Sequence, residues 1–136
     1  MEEKILAYLK SHEEEIFEDL KTLVTAEAST SDIGALAECR KVLERLITER
    51  TGAGTYVYKT ENGHDLVRFE FGEGEEKILL IGHYDTVHLI GSLKYYKEGN
   101  KLHGPGVADM KSGLVSAIWA AKALPKAYEG KYPNDP

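Results

Sequence analysis

The stretch Lys77-Ile78-Leu79-Leu80-Ile81-Gly82-His83-Tyr84-Asp85-Thr86-Val87 decides how this chain is read. Ile78 to Ile81 are apolar without alternation, the pattern of a strand covered on both faces, so a central strand is predicted over Lys77 to Gly82. In an open α/β sheet ligands bind outside the carboxyl ends of the strands, and that is where His83 falls. Residues two apart in extended chain point the same way, so the Asp85 carboxylate can reach the His83 ring. Such a carboxylate fixes the tautomer of a metal-bound imidazole and raises its basicity. The plainer alternative has Asp85 capping a turn and His83 as a satisfied histidine at a strand end.

Working outward toward the amino terminus, Ile5, Leu6 and Leu9, then Ile16, Phe17, Leu20, Leu23 and Val24, recur at helical spacing. Ser11 with Glu14 has the form of a capping box, which predicts two helices broken at Ser11, their acidic run forming a solvated face. After the polar stretch Ser29 to Asp32, a further helix uses Leu36, Cys39, Val42, Leu43, Leu46 and Ile47, with Gly52 as its stop. From Thr55 the period becomes two. Tyr56 to Lys59 and Leu66 to Phe71 read as antiparallel strands about Asn62-Gly63, a pair that favours a tight type I′ turn. Gly99-Asn100 marks another turn. Leu114 to Leu124 is apolar nearly all round, predicting a buried helix that ends at Pro125. The fold class expected is α/β, a mixed β-sheet flanked by helices, in a single domain without repeats or interior linkers.

The bulk numbers narrow the function. A chain of 136 residues with 42% hydrophobic content can bury a real core. Its net charge of −6 and scattered basic residues argue against a phosphate-tracking surface, so nucleic acid is not expected as a partner. Met1-Glu2-Glu3-Lys4 does not open a signal peptide, and Ile78 to Ile81 is too short a run to span a bilayer. Cys39, the single cysteine, falls among helical core positions and reads as packing. A cytoplasmic location follows as the expectation.

A second cluster lies downstream: His103-Gly104-Pro105-Gly106-Val107-Ala108-Asp109-Met110-Lys111-Ser112-Gly113, leading into the apolar helix. Asp109 lies near a helix start in a loop whose glycines permit close backbone approach to a ligand. One carboxylate there could bridge two cations about 3.5 to 4 Å apart. It could equally be a helix cap, or part of an anion cradle, although the spacing fits neither the dinucleotide fingerprint nor the P-loop.

Taken together, the strand, the His83–Asp85 pair and the run from Gly104 to Gly113 before an apolar helix resemble the M20 family of metallopeptidases and aminoacylases. The wording Gly-His-x-Asp-Thr-Val and Gly-Pro-Gly-x-x-Asp-Met-Lys is similar to its carboxypeptidase and glutamate carboxypeptidase branch. The resemblance implies a partial zinc-exopeptidase-like catalytic domain, with residues 1–136 as its amino-terminal portion and the lid and later ligands elsewhere. It implies that His83 ligates one metal, that Asp109 bridges two, that Asp85 orients His83 as part of the catalytic apparatus, and that the peptide after Asp109 is cis.

The implied cofactors are two divalent metal ions, zinc first, with cobalt or manganese as alternatives. The implied reaction is attack of a metal-activated water on an amide of a small peptide or acyl-amino acid bearing a free carboxylate, with a glutamate as general base. No Glu-Glu pair follows Asp109, and Glu129 stands alone in a stretch from Lys126 that reads as irregular, so this chain is expected to be incomplete for catalysis. A non-enzymatic scaffold or assembly module is the alternative, and a homo-oligomer is possible in either case. His12, His64, His88 and His103 read as non-ligating.

Overall fold

The computed structural model describes residues 2–127. Two helices open the chain, α1 (Glu2–Ser11) and α2 (Glu13–Thr25), and α3 (Ile33–Thr51) follows after a short connection. Two antiparallel hairpins come next, β1 (Thr55–Tyr58) with β2 (Leu66–Phe69), and β3 (Tyr96–Glu98) with β4 (Lys101–His103). A kinked turn, Val107–Lys111, leads into α4 (Ser112–Ala127). The architecture is therefore α/β, with helices and small antiparallel sheets.

The core is helical. Leu23 and Val24 of α2, Leu36 and Cys39 of α3, and Val115 and Trp119 of α4 are each at most 3% exposed. The helical periodicity of the sequence therefore selects the buried faces of α2 and α3, whereas α1 buries no residue and Leu6 and Phe17 stay 53% and 39% exposed. Asp32 caps α3 by accepting the Ala35 N–H at 2.9 Å, and Gly52 ends it in the left-handed conformation.

Polar groups join the same helices. Arg50 of α3 makes a two-pronged pair with Asp19 of α2, at 2.7 and 2.8 Å, and the Trp119 indole donates to Asp19 at 2.8 Å. Asp19 is thus buried, and the acidic run of α2 is not wholly a solvated face. Long-range pairing, invisible in local spacing, accounts for the difference.

Other expectations fail for equally local reasons. Ser11 and Glu14 form no capping box, because the Ser11 hydroxyl donates back to the Tyr8 carbonyl and His12 occupies the junction without a side-chain cap. Asn62-Gly63 does not make a two-residue turn. The β1–β2 connection runs from Lys59 to Asp65, with Asn62 accepting from Thr60 and His64 inside it. The α4 helix runs through Pro125 to Ala127, although Pro125 has no N–H to donate back to the Ala121 carbonyl.

The largest departure is at Lys77 to Gly82. The segment is not a strand and pairs with nothing among the described residues, and Ile78, Leu79, Leu80 and Ile81 are 72–90% exposed. An apolar run is buried only where other chain covers it, and here Gly82, at its end, is closely approached. A Cβ on Gly82 would lie 2.8 Å from Leu114 of α4. The run nonetheless delivers His83 to the surface beside the kinked turn, as the sequence reading required.

Candidate metal centre

His83 and Asp85 lie in the irregular segment after the apolar run, and Asp109 lies in the kinked turn ahead of α4. The turn follows Gly106, at φ +79, where a Cβ would also approach Thr86 Cγ2 to 2.7 Å. Glycine is needed there on both counts. Asp109 itself is extended, at φ −128 and ψ 97, and the Asp109–Met110 peptide is cis, matching what the resemblance implied.

The three residues meet at one imidazole. His83 Nδ1 lies 3.1 Å from both the backbone carbonyl and the Oδ1 of Asp85, and Nε2 lies 2.9 Å from Asp109 Oδ1. With its hydrogen on Nδ1 the ring donates to Asp85, which turns the Nε2 lone pair toward Asp109. A lone pair and a carboxylate oxygen at that distance repel unless a proton or a cation stands between them. Ring burial opposes the charged form, yet the Asp85 carbonyl and the two carboxylates outweigh it and raise His83 above its ordinary 6.5.

Nitrogen and carboxylate oxygen are the donors zinc accepts, and the Asp109 side chain is 87% exposed, leaving its second oxygen open. The residues present therefore fit one imidazole and one bridging carboxylate of a divalent site. They do not complete it: among the described residues no group of three or more His, Cys, Asp or Glu side chains could hold a metal ion.

Two further residues, to which the sequence reading gave no role, anchor the segments that carry this arrangement. Thr30, in the α2–α3 connection, donates its hydroxyl to Asp85 Oδ2 at 2.7 Å. Lys111 is fully buried, and its ammonium donates to the carbonyls of Leu23 and Ala26 at 2.8 Å each. Desolvation lowers Lys111 below its ordinary value, while burial raises Cys39, its thiol neighbour. Cys39 is packing, as predicted. Lysine directly before a fully apolar helix is the one cue that could have singled out Lys111; Thr30 leaves no such trace.

The other histidines stay apart from His83. His88 is exposed in its loop, His12 contacts Tyr8 and Trp119, and His64 lies in the β1–β2 connection. His103 ends β4 and stacks on Tyr96 with centroids 4.4 Å apart. It borders an open hollow of about 320 Å³ that also reaches Gly104 and Ala108. Glu129 lies outside the described residues.

An imidazole held between two carboxylates supplies donors of the kind a divalent metal accepts. Residues 79–132 match the model of Peptidase family M20/M25/M40. The chain is 32% identical over 119 residues to carboxypeptidase G2 of Pseudomonas sp. (strain RS-16), covering 80% of this chain and 28% of that protein. It is 32% identical over 115 residues to acetylornithine deacetylase of Vibrio parahaemolyticus, covering 79% and 30%. Against a peptidase M20 domain-containing protein of Schizosaccharomyces pombe it is 44% identical over 48 residues, covering 35% and 12%. Residues 79–132 thus carry part of a domain like that of the M20 peptidase family, and the chain is similar to its members over most of its length. It spans under a third of the length of these relatives.

Proposed function

We propose that this chain supplies the first metal ligands of a hydrolase that cleaves an amide bond in a small peptide or acyl-amino acid with a free carboxylate. The observation that carries the reading is the 2.9 Å approach of His83 Nε2 to Asp109 Oδ1, with Asp85 on the far side of the ring. Two divalent ions, zinc first and cobalt or manganese as the other candidates, would supply a water acidified enough to attack near neutral pH.

The remaining work falls to this chain's own groups. His83 Nε2 would hold one ion, and the Asp109 carboxylate would face both. Asp85 keeps the Nδ1–H of His83 engaged, so that Nε2 stays free to bind. Among residues 1–136 no pair of adjacent glutamates follows Asp109, so none of them is given the role of general base. The relatives' names, a carboxypeptidase and a deacetylase, support acyl–nitrogen cleavage. Their greater length supports a catalytic domain of which residues 1–136 form the amino-terminal portion, with substrate grip supplied elsewhere.

A cytoplasmic setting is part of the proposal. No helix among the described residues is long and apolar enough to cross a membrane. The lack of a third ligand among those residues favours one second reading, a scaffold or assembly module that keeps the fold without the chemistry.

Release of free amine from N-acyl-amino acids and dipeptides, with and without zinc, by a protein that joins these residues to the later ligands, separates the two readings. The hydrolase reading expects metal-dependent release that falls in Asp109→Asn by at least the about 100-fold that losing a ligand's outer partner can cost. Metal-independent release, or release unchanged in that variant, overturns it, and zinc binding without any release favours the scaffold.

A further inference from the structure

Both halves of the His83–Asp109 arrangement are tied to the same short segment, the connection between α2 and α3. On one side, Thr86 donates its N–H to the Ala28 carbonyl at 2.7 Å, and the Thr30 N–H donates to the Thr86 carbonyl at 2.9 Å. These two bonds make a parallel bridge between Ser29 and Thr86, just after Asp85. The Thr30 hydroxyl then reaches Asp85 Oδ2, the oxygen that does not face His83. On the other side, Lys111 follows Asp109 by two residues and reaches back to the end of α2, where Leu23 and Ala26 carbonyls accept from its ammonium. A third tie holds the loop beyond the site, where Glu27 accepts the Gly91 N–H at 3.0 Å.

A fully buried ammonium is unfavourable unless its protons find acceptors, and the last carbonyls of a helix are acceptors without intrahelical partners. The negative end of the helix dipole adds to the match. Lys111 is therefore fixed in place rather than merely accommodated, and so is the backbone of Asp109. Ala28 and Ser29 are themselves 0% and 3% exposed, so the segment to which both halves are tied is part of the core.

We propose that Thr30 and Lys111 are positioning residues: through the α2–α3 connection they set where Asp85 and Asp109 stand relative to His83, and hence how well that site takes a divalent cation. The proposal rests on the metal reading above for its second half only. Its first half, the mechanical coupling, stands on the hydrogen bonds themselves. Thr30 is exposed, so its hydroxyl can be removed without disturbing the core. Thr30 bonds Asp85 and Lys111 bonds backbone carbonyls, so both act through other residues.

The test compares the 136-residue chain with Thr30→Val, Thr30→Ser and Lys111→Met by amide hydrogen exchange and by calorimetric titration with zinc alone. In Thr30→Val, amides at Tyr84 to Thr86 exchange faster while those inside α3 and α4 keep their protection, and Thr30→Ser restores the original rates. In Lys111→Met, amides at Met110 to Ser112 exchange faster. If that variant does not fold, Thr30→Val decides alone.

Zinc binds more weakly to Thr30→Val, by up to the about 10 to 100-fold that losing a ligand's own hydrogen-bond partner costs. Exchange and affinity both unchanged in Thr30→Val overturn the proposal. So does faster exchange with unchanged affinity, or a Thr30→Ser variant as impaired as Thr30→Val. A parent chain that binds no zinc, with exchange still faster in Thr30→Val, leaves the coupling standing and sinks the metal reading instead.

Discussion

Two short stretches without regular structure behave in opposite ways. Ala28-Ser29, between α2 and α3, is small and partly polar yet 0% and 3% exposed, with its neighbours hydrogen-bonded to Thr86 and Lys111. Ile78 to Ile81 is wholly aliphatic yet 72–90% exposed, with no strand partner among the described residues. Hydropathy alone would have ordered them the other way. What separates them is whether other chain is on hand to receive their backbone groups and cover their side chains.

The comparison can be broken most decisively from the buried side. Leu23→Ala, beneath the α2–α3 connection, removes a side chain with 0% exposure and should lower stability by about 2 to 5 kcal/mol in urea unfolding. A loss well under 1 kcal/mol would mean that this end of α2 is loosely packed. Gly106→Ala adds a Cβ at positive φ against Thr86 and should cost about 1 to 3 kcal/mol by the same measurement.

Asp65 provides an intermediate case. It is buried in the β1–β2 connection, where the Lys59 ammonium and the Thr60 N–H, at 2.6 and 3.2 Å, hold its carboxyl below its ordinary 3.8. A lowered folded value contributes stability that is fully present above pH 3.8 and lost as pH falls through the folded value. Acid titration of Asp65→Asn should therefore lack a destabilising step that the parent shows below that pH. Identical acid profiles would rule this out.

The smallest effect belongs to the exposed run. Leu79→Lys with Ile81→Lys should change stability by no more than about 0.5 kcal/mol. The same pair should reduce self-association in sedimentation, because it interrupts an exposed aliphatic stretch. A loss as large as that of Leu23→Ala would mean that the run is covered in solution, and the contrast would collapse.

The helices were legible because their apolar positions repeat at a spacing that one face can bury. Leu36, Cys39, Leu43, Leu46 and Ile47 on α3 are all buried. The candidate site was legible for a different reason. His83, Asp85 and Asp109 lie in wordings short enough to recognise, and the fold brings them together as that wording implied.

What escaped the sequence depends on distant pairing. Thr30 and Lys111 matter through hydrogen bonds to Asp85, Leu23 and Ala26, which no local period records. Asp19 looked like one more acidic surface residue until Arg50 and Trp119 claimed it. The apolar run failed in the opposite sense, since its pattern describes a strand between two neighbours and says nothing about where those neighbours come from.

The central claim is that His83 and Asp109 present one nitrogen and one carboxylate to a shared divalent cation. Equilibrium dialysis of zinc against the parent chain, His83→Gln and Asp109→Asn tests it directly. The account predicts saturable binding by the parent, weaker in either variant by at least the about 10 to 100-fold that losing a ligand's hydrogen-bond partner costs. Binding of equal strength in all three, or none in the parent, would contradict it.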